Sequence, residues 1–508
     1  MEKKQIAKFA ESFFNMFRKE GITDPLFVLN QAICFFFLRK MECVNLSEKY
    51  TQTYLFKEEK NASVNWSNLI KLDSQNFAYY YYSNIVPLLD EQVIYTYKLT
   101  SFLQRSILAK LKSSLVWYNS FVLVDQLFVN CEKSSKSNIL SSYMYGCIFD
   151  EFLQYYLLSI KQEEIVTPSH ISRLMSELLM PDVDDNIYTP ILGRGEHLIS
   201  SYQKIVSDRI LKNKLQYDLD GFVCGDISDS SLVAGQLNKL VLNGNQEKDE
   251  DMFLTIMNFY FHGIRLPQNF TSQNLLSKGF QTSPTEYSKI IVSVFPPITV
   301  KNQENIDEKL KLMVGNNRPA MILERCLEQL AEDGRLVALV PESFLSAHDK
   351  SVTYFRKSIL EHYQLEAIVS LPKGVFANYS NIKTSIIVLA KHPVTSDSVW
   401  MCELKNDGYS LNAKRLKNAE TPLPKLIENF KSRKVSNDSL MDAFLVPIET
   451  ILNHRSAWVV QFYNDNETEE ILAEDPKEIL REIFKLEGMI DSELRDLSTL
   501  FGDGEIFG

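Results

Sequence analysis

The chain has 508 residues, of which 45% are hydrophobic and 23% are charged, a composition typical of a soluble globular protein. No uninterrupted apolar run approaches the ~18 residues needed to cross a bilayer, which argues against membrane insertion. Because the length exceeds the usual limit of about 250–300 residues for a single core, we expect two or three domains. The amino-terminal residues lack the apolar segment of a secretory signal, so the sequence predicts a cytoplasmic protein.

The net charge of −11 is concentrated near the carboxyl terminus, where residues 465–505 carry a net charge of −10. The rest of the chain is close to neutral. Such a body neither excludes nor predicts nucleic-acid binding, because binding needs only a local basic stripe. The seven cysteines and seven histidines are dispersed and include no Cys-x-x-Cys pair, so the sequence indicates neither a disulfide framework nor a zinc site.

Residues 1–160 show helical periodicity. Ile6, Phe9 and Phe13 recur every three or four positions, the spacing of a helix that buries one face. We therefore expect an all-helical amino-terminal domain. The run Tyr79–Tyr82 has two interpretations, a stacking platform for nucleic-acid bases or packing in a core. Helical spacing points the four rings in different directions and favours packing.

A second region begins near Glu164 and is typical of the first βα unit of a nucleotide-type fold. Thr167 and Pro168 precede a predicted helix over 171–179, and a short strand then leads into the turn Thr189–Gly195, Thr-Pro-Ile-Leu-Gly-Arg-Gly. Glycines in such a turn let the backbone pass close to a ligand at the amino terminus of the next helix. Residues Gly221–Asp226 are expected to form the next strand.

The segment Ile290–Ile298 carries the firmest strand prediction. Residues 290–295 are rich in β-branched and aromatic side chains and run into Pro296 and Pro297. Because proline cannot continue a ladder, a buried strand ends here in a stiff loop at the carboxyl edge of a sheet, where open α/β sheets bind ligands. The prolines alone are also compatible with simple strand termination.

The motifs that follow this strand, in their order along the chain, carry a family resemblance. They are a strand Leu336–Val340 before Pro341, a helix Tyr354–Tyr363, a strand Leu365–Leu371 before Pro372-Lys373-Gly374-Val375-Phe376, a strand Lys383–Leu389, the segment Asn406-Asp407-Gly408-Tyr409-Ser410-Leu411, and Lys414-Arg415. Over about residues 166–434 this order resembles the adenine-specific methyltransferases that form the modification subunit of type I restriction systems.

The resemblance implies an α/β fold, a Rossmann-like S-adenosylmethionine-dependent methyltransferase sheet with an all-helical amino-terminal domain and a helical carboxyl-terminal tail. We expect mostly parallel strands between Val166 and Lys391. The implied domains are residues 1–160, helical; 161–434, methyltransferase-like; and 435–508, a helical acidic tail. The apolar faces of the tail either pack on the protein's own body or dock on a partner, as the carboxyl-terminal helices of the resembled subunits do.

The resemblance also assigns a binding site for S-adenosylmethionine. The residues at its motif positions are Thr167, Thr189, Gly193, Gly195 and Asp226, the last either bonding the ribose hydroxyls or capping a helix over Ser231–Leu242. Two departures weaken this site. Thr189 replaces the family's aspartate, so a neutral acceptor stands where a charge-assisted bond would form, and Arg194 replaces a small hydroxyl residue. The acid for the adenine ring is also missing from residues 272–275. We therefore expect weak cofactor binding.

The catalytic motif departs further from the family. Phe295 stands in the position of the catalytic asparagine, followed by Pro296 and Pro297, and Ile298 replaces the aromatic residue that stacks on the flipped adenine. Phe295 has no polar atom, and losing one preorganised hydrogen-bonding group typically costs about 10²–10³ in rate. The motif is therefore predicted to be degenerate and inactive.

Three hypotheses follow. The first is a catalytically silent methyltransferase-like subunit that binds DNA or a specificity-subunit-like or nuclease-like protein in a restriction or phage-defence complex. The second is an active adenine methyltransferase in which Ser293 or Asn274 replaces the missing acceptor. The third is a scaffold protein without a nucleic-acid role.

Overall fold

The computed structural model of the protein describes the following parts of the chain: residues 3–46, 66–91, 93–94, 97–98, 114–134, 142–160, 165–209, 216–218, 220–224, 237, 239–246, 249–264, 269–282, 286–295, 306–392, 396–412, 414–418 and 420–464. The chain forms two compact units, residues 1–460 and 461–508. The expected helical tail lies outside the described residues from 465 onward. The expected divisions at residues 160 and 434 stay predictions.

The amino-terminal region is helical, as the sequence predicts. Its helices are Lys3–Lys19, Pro25–Leu46, Trp66–Leu69, Ser74–Tyr80, Val86–Glu91, Ser114–Ser134 and Ser142–Ser159, with a π-helical turn at Tyr81–Ile85. Two short strands, β1 (Val93–Ile94) and β2 (Tyr97–Lys98), pair antiparallel and are the exception to the expected all-helical domain.

Aromatic rings fill the core between these helices. Phe13 packs against Phe35, and Trp117 stacks on Tyr81 with ring centroids 6.0 Å apart. Tyr81 is fully buried, whereas Tyr79 is 76% exposed, so the tyrosine run points in different directions and its buried member packs in the core. Edge-to-face and stacked pairs of this kind each add about 0.5–1.5 kcal/mol beyond the area that they bury.

A ten-stranded sheet forms the rest of the described body. Its strands are β3 (Asn186–Thr189), β6 (Val241–Asn245), β7 (Asn269–Thr271), β8 (Tyr287–Ser293), β9 (Leu330–Pro341), β10 (Gln364–Ser370), β11 (Thr384–Ala390), β12 (Ser398–Leu404), β13 (Ser436–Asn437) and β14 (Met441–Pro447). Their order is β13-β14-β12-β10-β11-β9-β8-β3-β6-β7. The helices of this part are Ser169–Leu179, Glu196–Arg209, Asp249–Phe261, Glu308–Val314, Arg318–Leu327, Glu342–Ser346, Lys350–His362, Leu423–Ser432 and Ile448–Asn453.

The expected α/β fold is confirmed, and so is its firmest strand. β8 covers most of the predicted segment and lies inside the sheet, parallel to both β3 and β9, with Ile290, Ile291 and Val292 fully buried. A strand buried on both faces reads as a continuous apolar run, which is why its sequence was informative.

The sheet is larger than expected, because it continues beyond Lys391 with β12, β13 and β14. Within the predicted span, Val166–Lys391, four of the six strand pairs are parallel, so the expectation of mostly parallel strands is confirmed. The two antiparallel pairs both involve β11, which lies between β9 and β10. The loop between β10 and β11 carries no crossover helix, and only antiparallel neighbours can be joined in that way.

The prediction for the second strand of the nucleotide-type unit was wrong. Of Gly221–Asp226 the structure describes residues 221–224, where β5 (Val223–Cys224) pairs antiparallel with β4 (Gln216–Tyr217) outside the large sheet. The strand beside β3 is instead β6, which includes the end of the expected helix Ser231–Leu242. β6 is short and mixes apolar with amide side chains, and periodicity alone does not assign such a segment.

In the parts of the chain that the structure describes, no helix combines the length and apolar character needed to span a bilayer. Among those residues there is also no group of three or more histidine, cysteine, aspartate or glutamate side chains that could hold a metal ion.

A buried arginine anchors the helix Lys350–His362. Arg356 is 1% exposed and donates hydrogen bonds to three backbone carbonyls, those of Phe344 at 2.6 Å, Ala347 at 2.7 Å and Ser456 at 2.8 Å. Phe344 lies in the short helix Glu342–Ser346, Ala347 directly follows that helix and Ser456 lies in a turn. The guanidinium therefore satisfies carbonyls at a helix end and in a turn that would otherwise be buried without donors.

We predict that Arg356→Met lowers the free energy of unfolding by about 2–5 kcal/mol, because it leaves three carbonyls without their charged donor. Urea unfolding followed by fluorescence measures this loss. Lys357→Met on the same helix, where the side chain is 54% exposed, is the matched control and should change stability by less than about 0.5 kcal/mol. Equal stability of the two variants would contradict the anchoring role.

Candidate functional site

The candidate site lies at the carboxyl edge of the parallel strands. β3, β6, β7, β8 and β9 run in the same direction, so the loops that follow them meet at one edge of the sheet. Open α/β sheets bind their ligands at this edge. The turn after β3 and the segment after β8 are the two that the sequence singled out.

The Ser293 hydroxyl, at the end of β8, connects three elements of the site. It accepts a hydrogen bond from Thr167 Oγ1 at 2.7 Å and lies 2.9 Å from Nε2 of His197, which belongs to the helix after the glycine turn. Burial lowers the pKa of His197 to about 4, so its ring is neutral at pH 7. The predicted cofactor residue Thr167 therefore uses its hydroxyl within the protein.

Asn245 joins the ends of three neighbouring strands. Its side-chain amide donates to the carbonyls of Pro190, at 3.3 Å, and Gln273, at 2.9 Å. Its side-chain oxygen accepts from the Thr271 hydroxyl and the Gln273 amide. Because Pro190 follows β3 and Thr271 ends β7, this residue fixes the positions of both loops relative to β6.

The glycine turn is closed by its own neighbours. Gly193 and Gly195 have φ values of +56° and +83°, a left-handed conformation that favours glycine. A Cβ atom at Gly195 would lie 2.7 Å from the Phe259 ring, so this glycine is required by the packing of the helix Asp249–Phe261 against the turn. The Thr255 hydroxyl holds the Gly193 carbonyl at 2.8 Å.

Two changed positions of the turn also point inward. The Arg194 side chain is buried, and its backbone amide donates to the Glu196 carboxylate at 3.1 Å. Burial is the main cause that raises the pKa of Glu196, to about 7, against the smaller opposing effects of backbone hydrogen bonds and of the Arg194 charge. The Thr189 hydroxyl donates to the Ile191 carbonyl at 3.2 Å.

These contacts do not fit S-adenosylmethionine in the manner that the resemblance implies. A cofactor loop offers free backbone amides to its ligand. Here the Arg194 amide is already bonded to a carboxylate, and Thr189 contributes no charge and uses its hydroxyl within the turn. The same carboxylate would repel an anionic group of a ligand placed at the turn.

An aromatic pair occupies the position that the sequence predicts to be catalytic. The Phe295 ring packs edge-to-face against Phe376, which follows β10, with centroids 5.1 Å apart. An apolar contact therefore joins the segment after β8 to the segment after β10. Pro296 and Pro297 lie outside the described residues, and so does Asp226. The predicted roles of these three residues stay predictions.

The segment Asn406–Leu411 packs against the loop after β10 and against the helix Ser169–Leu179. A Cβ atom at Gly374 would lie 2.6 Å from the Leu411 carbonyl, so only glycine allows this approach. Asp407 is fully buried, lies 2.9 Å from His170 Nε2, and also bonds Arg415. Burial raises the pKa of Asp407, but the His170 bond and the Arg415 charge outweigh it and hold the pKa below its usual range.

Tyr409 extends this cluster. Its ring stacks on His170 with centroids 4.4 Å apart, and its hydroxyl donates to Asp220 at 2.8 Å. Since His170 opens the helix that follows Thr167 and Pro168, the cluster fixes the Thr167 segment against the site. The sequence indicated both segments, but not that a buried hydrogen bond between His170 and Asp407 joins them.

Residues 141–471, more than half of the chain, match the family model of the N-6 DNA methylases. The chain belongs to this family. It is 24% identical over 282 residues to the type I restriction enzyme EcoEI methylase subunit of Escherichia coli, covering 55% of this chain and 53% of that protein. It therefore spans about half the length of this curated relative.

Solved structures of the family share its fold. The type I restriction-modification methyltransferase subunit of Streptococcus thermophilus matches with a TM-score of 0.65 at 13% identity, over 90% of this chain and 98% of that one. A chain from a structure of type I restriction-modification complex assembly matches with a TM-score of 0.57 at 16% identity, over 99% and 100%. These likenesses confirm the fold predicted from the motifs.

A pH-dependent stability difference is expected from Glu196. Because its folded-state pKa is raised to about 7, the stability contributed by its protonated form is present below the ordinary pKa of 4.5 and is lost as pH rises through 7. Glu196→Gln removes this loss. We predict that the variant gains stability over the wild type at pH 8 and that the gain shrinks towards pH 4.5.

Thermal unfolding of both proteins from pH 4.5 to 8 measures the difference. The titration of His197 is common to both proteins and cancels in the comparison. Glu308→Gln, a change at a carboxylate whose side chain is 77% exposed, is the control and should show no such trend. A constant difference across the range would show that Glu196 is not buried against the turn.

Proposed function

We propose that this member of the N-6 DNA methylase family has lost methyl transfer and acts as a DNA- or partner-binding subunit of a restriction or defence complex. The observation that carries the proposal is Phe295, an apolar ring packed against Phe376 where adenine methylation requires an acceptor for the amino group. Burying that amino group against an apolar ring costs about 1–3 kcal/mol for its unmade hydrogen bond.

The two substitute acceptors are already in use. The Ser293 hydroxyl bonds Thr167 and contacts His197. Asn274 uses its side-chain oxygen to accept from the Leu276 amide at 3.1 Å, which stabilises its own turn. These bonds hold both groups towards partners within the protein, and this disfavours an active enzyme with an unorthodox site.

The residues at the predicted cofactor-binding positions also argue against methyl transfer. The glycine turn is filled by Arg194 and Glu196, and Thr189 replaces a carboxylate. The ribose-binding acid of a nucleotide-type fold stands at the end of the second strand. In this chain that strand is β6, whose last residue Asn245 is engaged in joining the loops. We therefore infer that S-adenosylmethionine binds weakly or not at all.

The scaffold around these positions is closely packed. Asp407 bonds His170, Gly374 lies against the Leu411 carbonyl, and ten strands form one sheet. A similar chain belongs to an assembled type I system. A fold kept without its chemistry supports a role in binding DNA or a specificity-subunit-like or nuclease-like partner.

We predict no methyl incorporation into double-stranded DNA by the wild type, because Phe295 cannot accept a hydrogen bond from adenine. Phe295→Asn alone should remain inactive, since the glycine turn is unchanged. Transfer of labelled methyl groups from the cofactor, with an active adenine methyltransferase as the positive control, tests both statements. Incorporation by the wild type would refute the proposal, and incorporation by the variant alone would refute the role given to the turn.

Calorimetric titration with S-adenosylmethionine tests the cofactor side separately. We expect no binding in the low-micromolar range by the wild type. Arg194→Ser combined with Glu196→Gly opens the turn and should increase affinity on the order of tenfold, about 1.4 kcal/mol. Low-micromolar binding by the wild type would show that the turn opens for the ligand, and the inference of a vestigial cofactor site would then fail.

A further inference from the structure

A shallow groove of about 390 Å³ lies along the first half of the helix Lys350–His362. It is lined by His348, Lys350, Thr353, Tyr354, Lys357, Leu452, Arg455 and Ser456. The lining comes from the loop before the helix, the helix itself, the helix Ile448–Asn453 and the turn that follows it.

The groove is basic. Its lining includes Lys350, Lys357, Arg455 and the ionisable His348, and it includes no aspartate or glutamate. Lys357 has a loose ion pair with Glu361 at 3.7 Å, both side chains being about half exposed. Within the parts of the chain that the structure describes, neither Lys350 nor Arg455 has a carboxylate at ion-pair distance. Their charges are therefore available to an anion.

The wall of the groove is held rigidly. Arg455 and Ser456 both have left-handed backbones, with φ values of +56° and +53°, a conformation that costs energy outside glycine. The Ser456 carbonyl is fixed by the buried Arg356, which also holds Phe344 and Ala347. The strained turn is thus kept in place by the same anchor that positions the basic helix.

The groove lies beside the first turns of a helix that begins near the edge of the sheet that carries the candidate site. The helix Lys350–His362 follows β9 after one short helix, so its first turns lie towards the carboxyl ends of the parallel strands. Phe295 lies at that edge, after β8.

We infer that the groove binds the phosphate backbone of double-stranded DNA. This inference rests on the proposed DNA-binding function and assigns it to a surface. Phosphates are recognised by lysine and arginine together with the hydroxyls of threonine, serine and tyrosine, and the groove offers each of these. Tyr354 is 70% exposed and Thr353 stands beside it.

A protein partner fits the groove less well. Protein interfaces are depleted of lysine and have an apolar, desolvated centre. Most of the exposed lining is apolar, but the groove has one aliphatic side chain, Leu452, which is 37% exposed, and its charged side chains are all basic. Basic side chains make sequence-independent contacts with phosphates, which would hold the duplex without reading its bases.

The test uses the full-length tagged chain, purified from its own host with the proteins that accompany it. The variant carries Lys350→Gln, Lys357→Gln and Arg455→Asn, the last chosen because asparagine tolerates a left-handed backbone. The control carries Lys71→Gln, Lys425→Gln and Lys431→Gln, which remove the same charge elsewhere on the surface. Affinity for duplexes of two unrelated sequences is measured by fluorescence anisotropy across salt concentrations.

We expect the groove variant to weaken binding of both duplexes equally and to reduce the slope of log affinity against log salt by about 2–3, roughly one per lost phosphate contact. The control and the wild type should share one slope. Lys350→Gln alone should reduce the slope by about 1, so the result does not depend on the triple variant folding.

Three outcomes would overturn the inference in distinguishable ways. A wild type without salt-sensitive DNA binding would refute both the groove and the DNA-binding function. Unchanged slopes in the groove variant would refute the groove alone. A groove variant that binds DNA normally but no longer retains an accompanying protein would identify the groove as a protein contact.

Discussion

The side chain of Asn245 is the constraint on which the candidate site depends. It is the last residue of β6, and its amide bonds the loop after β3, its own neighbour strand β7 and the segment beyond it. The backbone carbonyl of Asn245 also accepts a hydrogen bond from the Leu192 amide in the glycine turn. Asn245 therefore fixes the positions of the ends of β3, β6 and β7 relative to one another. The arrangement is rigid on its inner side, because Asn245, Pro190 and Leu192 are buried and their bonds would be costly to release.

The two halves of the site have changed in the same direction. On one side, the glycine turn satisfies its amide with Glu196 and buries Arg194; on the other, Phe295 and Phe376 close the loop gap with an apolar contact. In both places, a group that could contact a ligand instead makes a contact within the protein. Active sites ordinarily keep such groups unsatisfied or strained, and stability rises when they are relieved. These contacts stabilise the structure at the positions that the sequence predicts to bind the cofactor and the substrate.

The sequence was informative where burial is continuous and misleading where elements are short. β8 could be predicted because it is apolar on both faces and ends at two prolines, and the motifs around Gly374 and Asp407 gave the family. β6 was missed because Val241–Asn245 is brief and mixes apolar with amide side chains, so its pairing with β3 decides its conformation. The contacts of Ser293 with Thr167 and His197 join residues distant in sequence, and no local pattern encodes them.

The helix Asp249–Phe261 has two apolar faces, and each belongs to a different core. Phe253, Leu254, Met257 and Phe261 pack among the amino-terminal helices, whereas Met252, Ile256 and Phe259 pack on the sheet. Phe259 also touches the backbone of Gly195 so closely that no side chain fits between them. Because close-packed interiors transmit displacement rather than absorb it, a partner that shifts the amino-terminal helices must also move the wall of the glycine turn. A displacement of the amino-terminal helices would therefore reach the glycine turn through the helix Asp249–Phe261.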